Sequence, residues 1–137
     1  MILRLTKEQI RLLIEEARKK NPIEACGILF GDMSSKEVLV GRIVTVHNVL
    51  ESTTNFQINP EEFLKSLFEA EKDGMQLIGF FHSHPVTPHP STTDVRYMSL
   101  WPENIWLIIS SVDYSMEAYQ NVNGKLRRIR IEVNNKR

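Results

Sequence analysis

The chain has 137 residues, 42% of them hydrophobic and 25% charged, with 17 Lys and Arg matched by 17 Asp and Glu and one cysteine. That size and composition fit one globular domain over 1–137, large enough to bury most of its apolar surface. The cancelled charge leaves no global field for nucleic acid or an anionic membrane, no run reaches the roughly 18 apolar residues of a membrane span, and a lone cysteine excludes an internal disulfide.

The N-terminus runs into a charged amphipathic pattern without the apolar core and cleavage site of a secretory signal, so the expected location is cytoplasmic. Thr6-Lys7-Glu8-Gln9 has capping-box spacing, and Ile10, Leu13, Ile14 and Ala17 recur at helical intervals. The spacing predicts an amphipathic helix over 7–20, stopped by Asn21-Pro22. Glu24 then stands at the mouth of an apolar strand, Ala25-Cys26-Gly27-Ile28-Leu29-Phe30-Gly31. A carboxylate in that place is either solvated at an edge or held near a cleft. Cys26, inside the apolar run, reads as a small buried hydrophobe and not as a nucleophile.

A turn is expected at Asp32-Met33-Ser34-Ser35, followed by a strand over 38–49 in which Gly41 marks a bulge or a close approach. His47, in that run, reads as a half-buried structural histidine. A short strand is expected over 52–58. Asn59 as N-cap, Pro60 at the first helical position and Glu62 at N3 announce a second helix, whose Phe63, Leu64, Leu67 and Phe68 read as core and which Asp73-Gly74 ends.

Next comes the apolar run Leu77-Ile78-Gly79-Phe80-Phe81, which breaks off in His82-Ser83-His84-Pro85 and a polar loop leading to Ser91-Thr92-Thr93-Asp94. In a strand, residues two apart share a face, so His82 and His84 project together with Cα atoms roughly 7 Å apart. Ser83 faces the other way and serves to brace the strand. Asp94 lies just past a loop able to fold back over the strand end and add an anionic third ligand. Two histidines and one carboxylate make an open catalytic zinc site, in which the pKa of a water falls from about 16 to about 7. Taken singly, His-x-His more often marks a solvated turn, and Ser91-x-x-Asp94 has the spacing of a helix cap. Together, at the end of a buried strand, they favour a metal.

Ser91 also predicts a short helix through Leu100, broken by Trp101-Pro102. A buried strand follows at 105–110 and a turn at Asp113-Tyr114. An antiparallel pair over 115–122 and 126–133 is joined by the hairpin signal Asn123-Gly124. Arg128, Arg130 and Glu132 share one face of the last strand, where charge protects an edge. Helices separated by clusters of strands predict an α+β domain, a single mixed β-sheet flanked by helices.

The run His-x-His-Pro, a loop, then Ser-x-x-Asp resembles the signature of the JAMM (MPN-type) zinc metalloproteases, in the form of their short stand-alone members. Pro22-Ile23-Glu24-Ala25-Cys26-Gly27 is similar to the family's first strand with its upstream glutamate. The likeness runs from the first helix to the last strand. One departure is the loop between His84 and Asp94, which is one residue shorter than the family usually has, within Val86-Thr87-Pro88-His89-Pro90. The resemblance implies a cytidine-deaminase-like fold, zinc on His82, His84 and Asp94, Glu24 as the proton acceptor, and Ser91 as a hydrogen-bond donor to the oxyanion. It implies cleavage after the Gly-Gly tail of a ubiquitin-like or sulfur-carrier protein. The competing expectation is a non-catalytic interaction module, since the wider family includes members that lost zinc. A nucleobase deaminase is excluded, because its Pro-Cys-x-x-Cys needs two cysteines.

Overall fold

A computed structural model describes residues 1–85 and 87–134 of the chain. Among the described residues seven strands and three helices follow in the order β1 (Ile2–Thr6), α1 (Lys7–Lys20), β2 (Cys26–Met33), β3 (Glu37–Val46), α2 (Pro60–Lys72), β4 (Gln76–His84), α3 (Thr92–Leu100), β5 (Ile105–Ser110), β6 (Met116–Val122) and β7 (Lys125–Asn134). The strands run in the order β1-β3-β2-β4-β5-β6-β7 and close on themselves, because β1 pairs in parallel with both β3 and β7. The α+β class and the mixed sheet hold, and the sheet closes into a barrel, which the expectation of a mixed sheet flanked by helices did not include. β1 is the element the sequence reading lacks, and it is the strand that closes the ring.

Side-chain alternation divides the sheet into two apolar faces. Leu3, Leu5, Leu29, Phe81, Ile105, Leu107, Ile109 and Ile129 pack on one face with Leu13 and Ala17 of α1. Cys26, Ile28, Phe30, Phe80, Trp106 and Ile108 pack on the other with Ala70 of α2 and Met98 of α3. Two register shifts adjust this alternation. Between β2 and β3, Phe30 pairs with Arg42 and Gly31 with Val40, which leaves Gly41 as the extra residue of a bulge. Between β2 and β4, Leu29 pairs with Gly79 and Phe30 with Leu77, which leaves Ile78 as the extra one. The second bulge lets Ile78 and Phe81 enter the same core while Phe80 and His82 turn to the other face.

The helix caps form as the sequence requires. Thr6 and Gln9 make a complete capping box on α1. Asn59 Oδ1 accepts from Glu61 N at 2.8 Å and Glu62 N at 3.2 Å at the start of α2, and Gly74, at φ +80°, follows its end. Asn123 and Gly124, both at positive φ, make the tight β6–β7 turn. No helix among the described residues is long and apolar enough to cross a membrane.

Four local expectations need correction. Residues 52–58 are a loop and not a strand, because the Asn48 side chain and isolated contacts such as Val49 N to Gln57 O (3.0 Å) satisfy their backbone in place of a ladder. β3 ends at Val46, so His47 lies outside it and is exposed, 3.2 Å from Glu51. Of the four α2 side chains expected in the core, Phe63 and Leu67 pack on it, while Leu64 and Phe68 are exposed. β7 is no edge: β1 and β6 flank it, and its charges pair across strands, Arg4 to Glu132 at 3.0 Å and Arg128 to Glu117 at 3.1 Å.

The position that tolerates least is Gly79, paired with Ile105 where β4 and β5 run in parallel. A Cβ there would lie 1.8 Å from the Ile105 carbonyl oxygen, and a backbone atom held in a ladder cannot move aside. Gly79→Ala should therefore lower stability by more than about 3 kcal/mol, beyond ordinary overpacking. Chemical denaturation checks this, and a wild-type midpoint would show that the strands can part at little cost.

Candidate metal centre

β4 lies between β2 and β5, and its C-terminal end carries the two histidines. His82 pairs with Cys26 on one side and Ile108 on the other. Continuing the antiparallel register beyond Cys26 brings Glu24 opposite His84. Glu24, Cys26, His82 and His84 thus share the face covered by α2 and α3. Glu24, His82, His84 and Asp94 are all buried, at 3%, 0%, 8% and 6% exposure, so the four titratable groups meet away from bulk water.

Three donor atoms converge closely. His82 Nε2 and His84 Nε2 are 3.1 Å apart, and Asp94 Oδ2 lies 3.1 Å from the first and 2.9 Å from the second. Ligands about 2.0 Å from one tetrahedral zinc stand about 3.3 Å apart, so this triangle has the size such an ion requires. The donor set also fits, since two imidazoles and a carboxylate match the open catalytic type. A carboxylate oxygen of Glu24 lies within 4.8 Å of both imidazoles, so Glu24 is a second candidate for the third ligand. Asp94 is the nearer, and Glu24 Oε1 is buried with no hydrogen-bond partner among the described residues. A buried, unpaired carboxylate oxygen is costly and marks a place where a ligand or water belongs.

Ser91 and Asp94 form a true capping box at the start of α3. Ser91 Oγ accepts from Asp94 N at 3.1 Å, and Asp94 Oδ2 accepts from Ser91 N at 2.9 Å. The cap and the histidine contacts coexist, because Oδ2 serves both. A hydroxyl accepts and donates at once, so the cap leaves Ser91 its own proton to give. Ser83 points to the opposite face, and its Oγ accepts from Ala25 N at 2.7 Å, beside the Ser83 N to Ala25 O bond of 2.9 Å. These two bonds tie β4 to the residue after Glu24.

The electrostatics follow from burial and proximity. Burial pushes the Glu24 carboxyl up to about 8; His84 pulls it down and Asp94 pushes it up by less. Burial holds His82 below the ordinary histidine value against the pull of Asp94. At His84 burial also acts downward, but the hydrogen bond and charge of Asp94, with Glu24 and the Thr87 backbone, carry it above that value. Burial acts upward on Asp94, yet bonds from His82, His84 and the Ser91 backbone hold it well below the usual carboxylate range. An ionised Asp94 and a neutral His82 are the forms that ligate a metal. Cys26 has no exposure and burial pushes its thiol up to about 12, so it is inert.

One neighbour is absent from the sequence reading. Phe56 stacks on the His82 ring, centroids 4.6 Å apart and planes 24° from parallel. Phe56 also borders an apolar pocket of about 420 Å³ walled by Phe63, Phe80, Trp101 and Trp106. Its only signal in the sequence is a lone aromatic in the polar stretch Thr54-Asn55-Phe56-Gln57. Of the loop between His84 and Asp94, Val86 lies outside the described residues, and His89 Nδ1 meets Glu117 Oε1 at 3.0 Å.

A closed α+β barrel with two histidines at the end of a buried strand and two carboxylates beside them is the arrangement of a JAB-type domain with a candidate metal site. The chain belongs to the prokaryotic homologs of the JAB domain, the Prok-JAB family, whose model matches residues 6–122. A desampylase of Pyrococcus furiosus is 43% identical over 89 residues, 64% of this chain and 60% of that one, so the match spans somewhat less than two thirds of that relative. A desampylase of Haloferax volcanii is 33% identical over 120 residues, 87% of this chain and 84% of that one. A CysO-cysteine peptidase of Mycobacterium tuberculosis is 27% identical over 128 residues, 90% of this chain and 85% of that one. Among solved structures, protein DSY2949 from Desulfitobacterium hafniense superposes with a TM-score of 0.87 at 30% identity, covering 99% of this chain and 94% of that one.

Ser83→Ala should destabilise the protein by about 1–3 kcal/mol, because it strands the buried Ala25 N–H without an acceptor. A denaturation midpoint equal to that of wild type would show that another group takes over the bond.

Proposed function

We propose that this chain is a zinc-dependent peptidase that hydrolyses the amide or isopeptide bond after the C-terminal Gly-Gly of a ubiquitin-like or sulfur-carrier protein. The observation that carries this reading is the convergence of His82 Nε2, His84 Nε2 and Asp94 Oδ2 within 3.1 Å, with the buried Glu24 carboxyl group alongside. Family membership and relatives named desampylase and CysO-cysteine peptidase support the substrate class.

In this reading His82, His84 and Asp94 hold the zinc. When bound, zinc polarises a carbonyl and lowers the pKa of water from about 16 to about 7. Glu24, buried beside the two imidazoles, takes the proton from the attacking water. The water oxygen adds to the carbonyl carbon, and Ser91 O–H donates to the oxyanion that forms. Glu24 then returns the proton to the departing nitrogen as the C–N bond breaks, so the carrier leaves as a free Gly-Gly carboxylate and the partner as an amine. A tail of two glycines suits a narrow approach to the strand end, since neither carries a Cβ. The one-residue-shorter loop between His84 and Asp94 is the only feature that favours the interaction-module reading, and the convergence of His82, His84 and Asp94 beside Glu24 weighs against it.

The test is mass spectrometry of a small β-grasp carrier, ending in Gly-Gly plus one amino acid, incubated with the zinc-loaded protein. Cleavage directly after the second glycine is expected. Glu24→Gln should keep its zinc and lose at least about 10²-fold in kcat, the usual worth of a positioned base. No cleavage of any Gly-Gly fusion would defeat the proposal, and loss of zinc from Glu24→Gln would make Glu24 a ligand.

A further inference from the structure

We propose that Asn48 is a positioning residue of this site, fixing the Glu24 peptide and the loop that covers His82 in one geometry. The inference rests on the role proposed for Glu24. Asn48 follows β3 and is 4% exposed. Its Nδ2 donates to Glu24 O at 3.2 Å and to Asn55 O at 2.9 Å. Its Oδ1 accepts from Leu50 N at 3.1 Å and from Gln57 N at 3.2 Å. Both donors and the acceptor of one amide are thus engaged across three segments of chain: the residues leading into β2, the start of the 48–58 loop, and its returning arm.

Glu24 depends on that loop because it lies outside the ladder. β2 begins only at Cys26, and the Glu24 N–H donates to Ser52 O at 2.9 Å while its carbonyl receives Asn48. The peptide groups on either side of the Glu24 Cα are therefore both held by the loop. Its side chain has no compensating anchor, since Oε1 lacks a hydrogen-bond partner among the described residues. Phe56, stacked on His82, sits between Asn55 and Gln57, the two residues of the returning arm that Asn48 binds. One amide thus sets the position of the proton acceptor and of the ring that covers a histidine. Only Asn fits this role: Asp keeps the acceptor but loses both donors, and Gln adds a methylene to a filled site.

The test uses Asn48→Asp, with Asn48→Ser as the second variant should a buried carboxylate prevent folding. By NMR hydrogen exchange on the metal-free protein, the Glu24 amide should exchange at least about tenfold faster in the variant, while Ile108 in β5 keeps its protection. Unchanged protection at Glu24 overturns the proposal. In zinc-loaded protein acting on the Gly-Gly carrier, kcat per bound zinc should fall at least about tenfold with KM within about twofold, the pattern of a displaced base. The loss should vanish when Glu24→Gln is already present, because Asn48 acts through Glu24. An unchanged kcat per zinc, or the same fractional loss in both backgrounds, overturns it. Wild type that fails to cleave the carrier defeats the peptidase reading instead, and the exchange measurement then decides alone whether Asn48 fixes Glu24.

Discussion

The Oδ2 atom of Asp94 is where local and long-range structure meet. It accepts the Ser91 N–H that starts α3, and it lies within 3.1 Å of both imidazole Nε2 atoms at the end of β4. A cap fixes a carboxylate through its own backbone, which spares most of the entropy that a freely rotating ligand would lose on binding. The helix cap and the His82–His84–Asp94 cluster therefore reinforce each other. The start of α3 cannot shift along its axis without pulling a donor atom out of the triangle, and the triangle pins the end of a helix that packs through little more than Met98.

The barrel supplies rigidity where that triangle needs it. β4 is paired on both sides over Gly79–His82 and with β5 on through His84, and the bulge at Ile78 turns Phe80, His82 and His84 to the face under α2 and α3. Phe80 and Trp106 wall the ground beneath the site, so desolvation acts on every titratable group there. The same low-polarity setting that raises Glu24 to about 8 strengthens any charge interaction made within it. In contrast, the segment carrying Phe56 and bracing Glu24 is a loop held by one buried amide and a few backbone bonds. For the function proposed above, sheet-held candidate ligands beside a loop-held candidate base suit a site that must admit an extended chain, since loops open at lower cost than sheets.

Much of this was legible from the residues, for reasons that differ by element. Capping boxes, the Asn59-Pro60 start and the Asn123-Gly124 hairpin are local chemistry, readable within four residues, and all form. The ligand candidates were legible because the strand alternation puts His82 and His84 on one face. Barrel closure was not, since it depends on β1 pairing with β7, residues more than 120 positions apart, and a five-residue strand leaves little pattern. The same blindness turned the charges of β7 into edge guards. The 52–58 segment alternates like a strand, but Asn48 intercepts its hydrogen bonds, and no local pattern announces a buried amide that binds three segments. Leu64 and Phe68 carry helical spacing as well as Phe63 and Leu67 do, yet the stripe is wider than the face that α2 presents to the sheet.

Zinc K-edge X-ray absorption of the protein loaded with one equivalent of zinc tests the central claim most directly, because it reads the ligand set without reference to any substrate. The account predicts nitrogen and oxygen alone in the first shell, at about 2.0 Å, with the scattering of two imidazoles falling to one in His82→Ala. A sulfur at about 2.3 Å, or two-imidazole scattering that persists in His82→Ala, would contradict it.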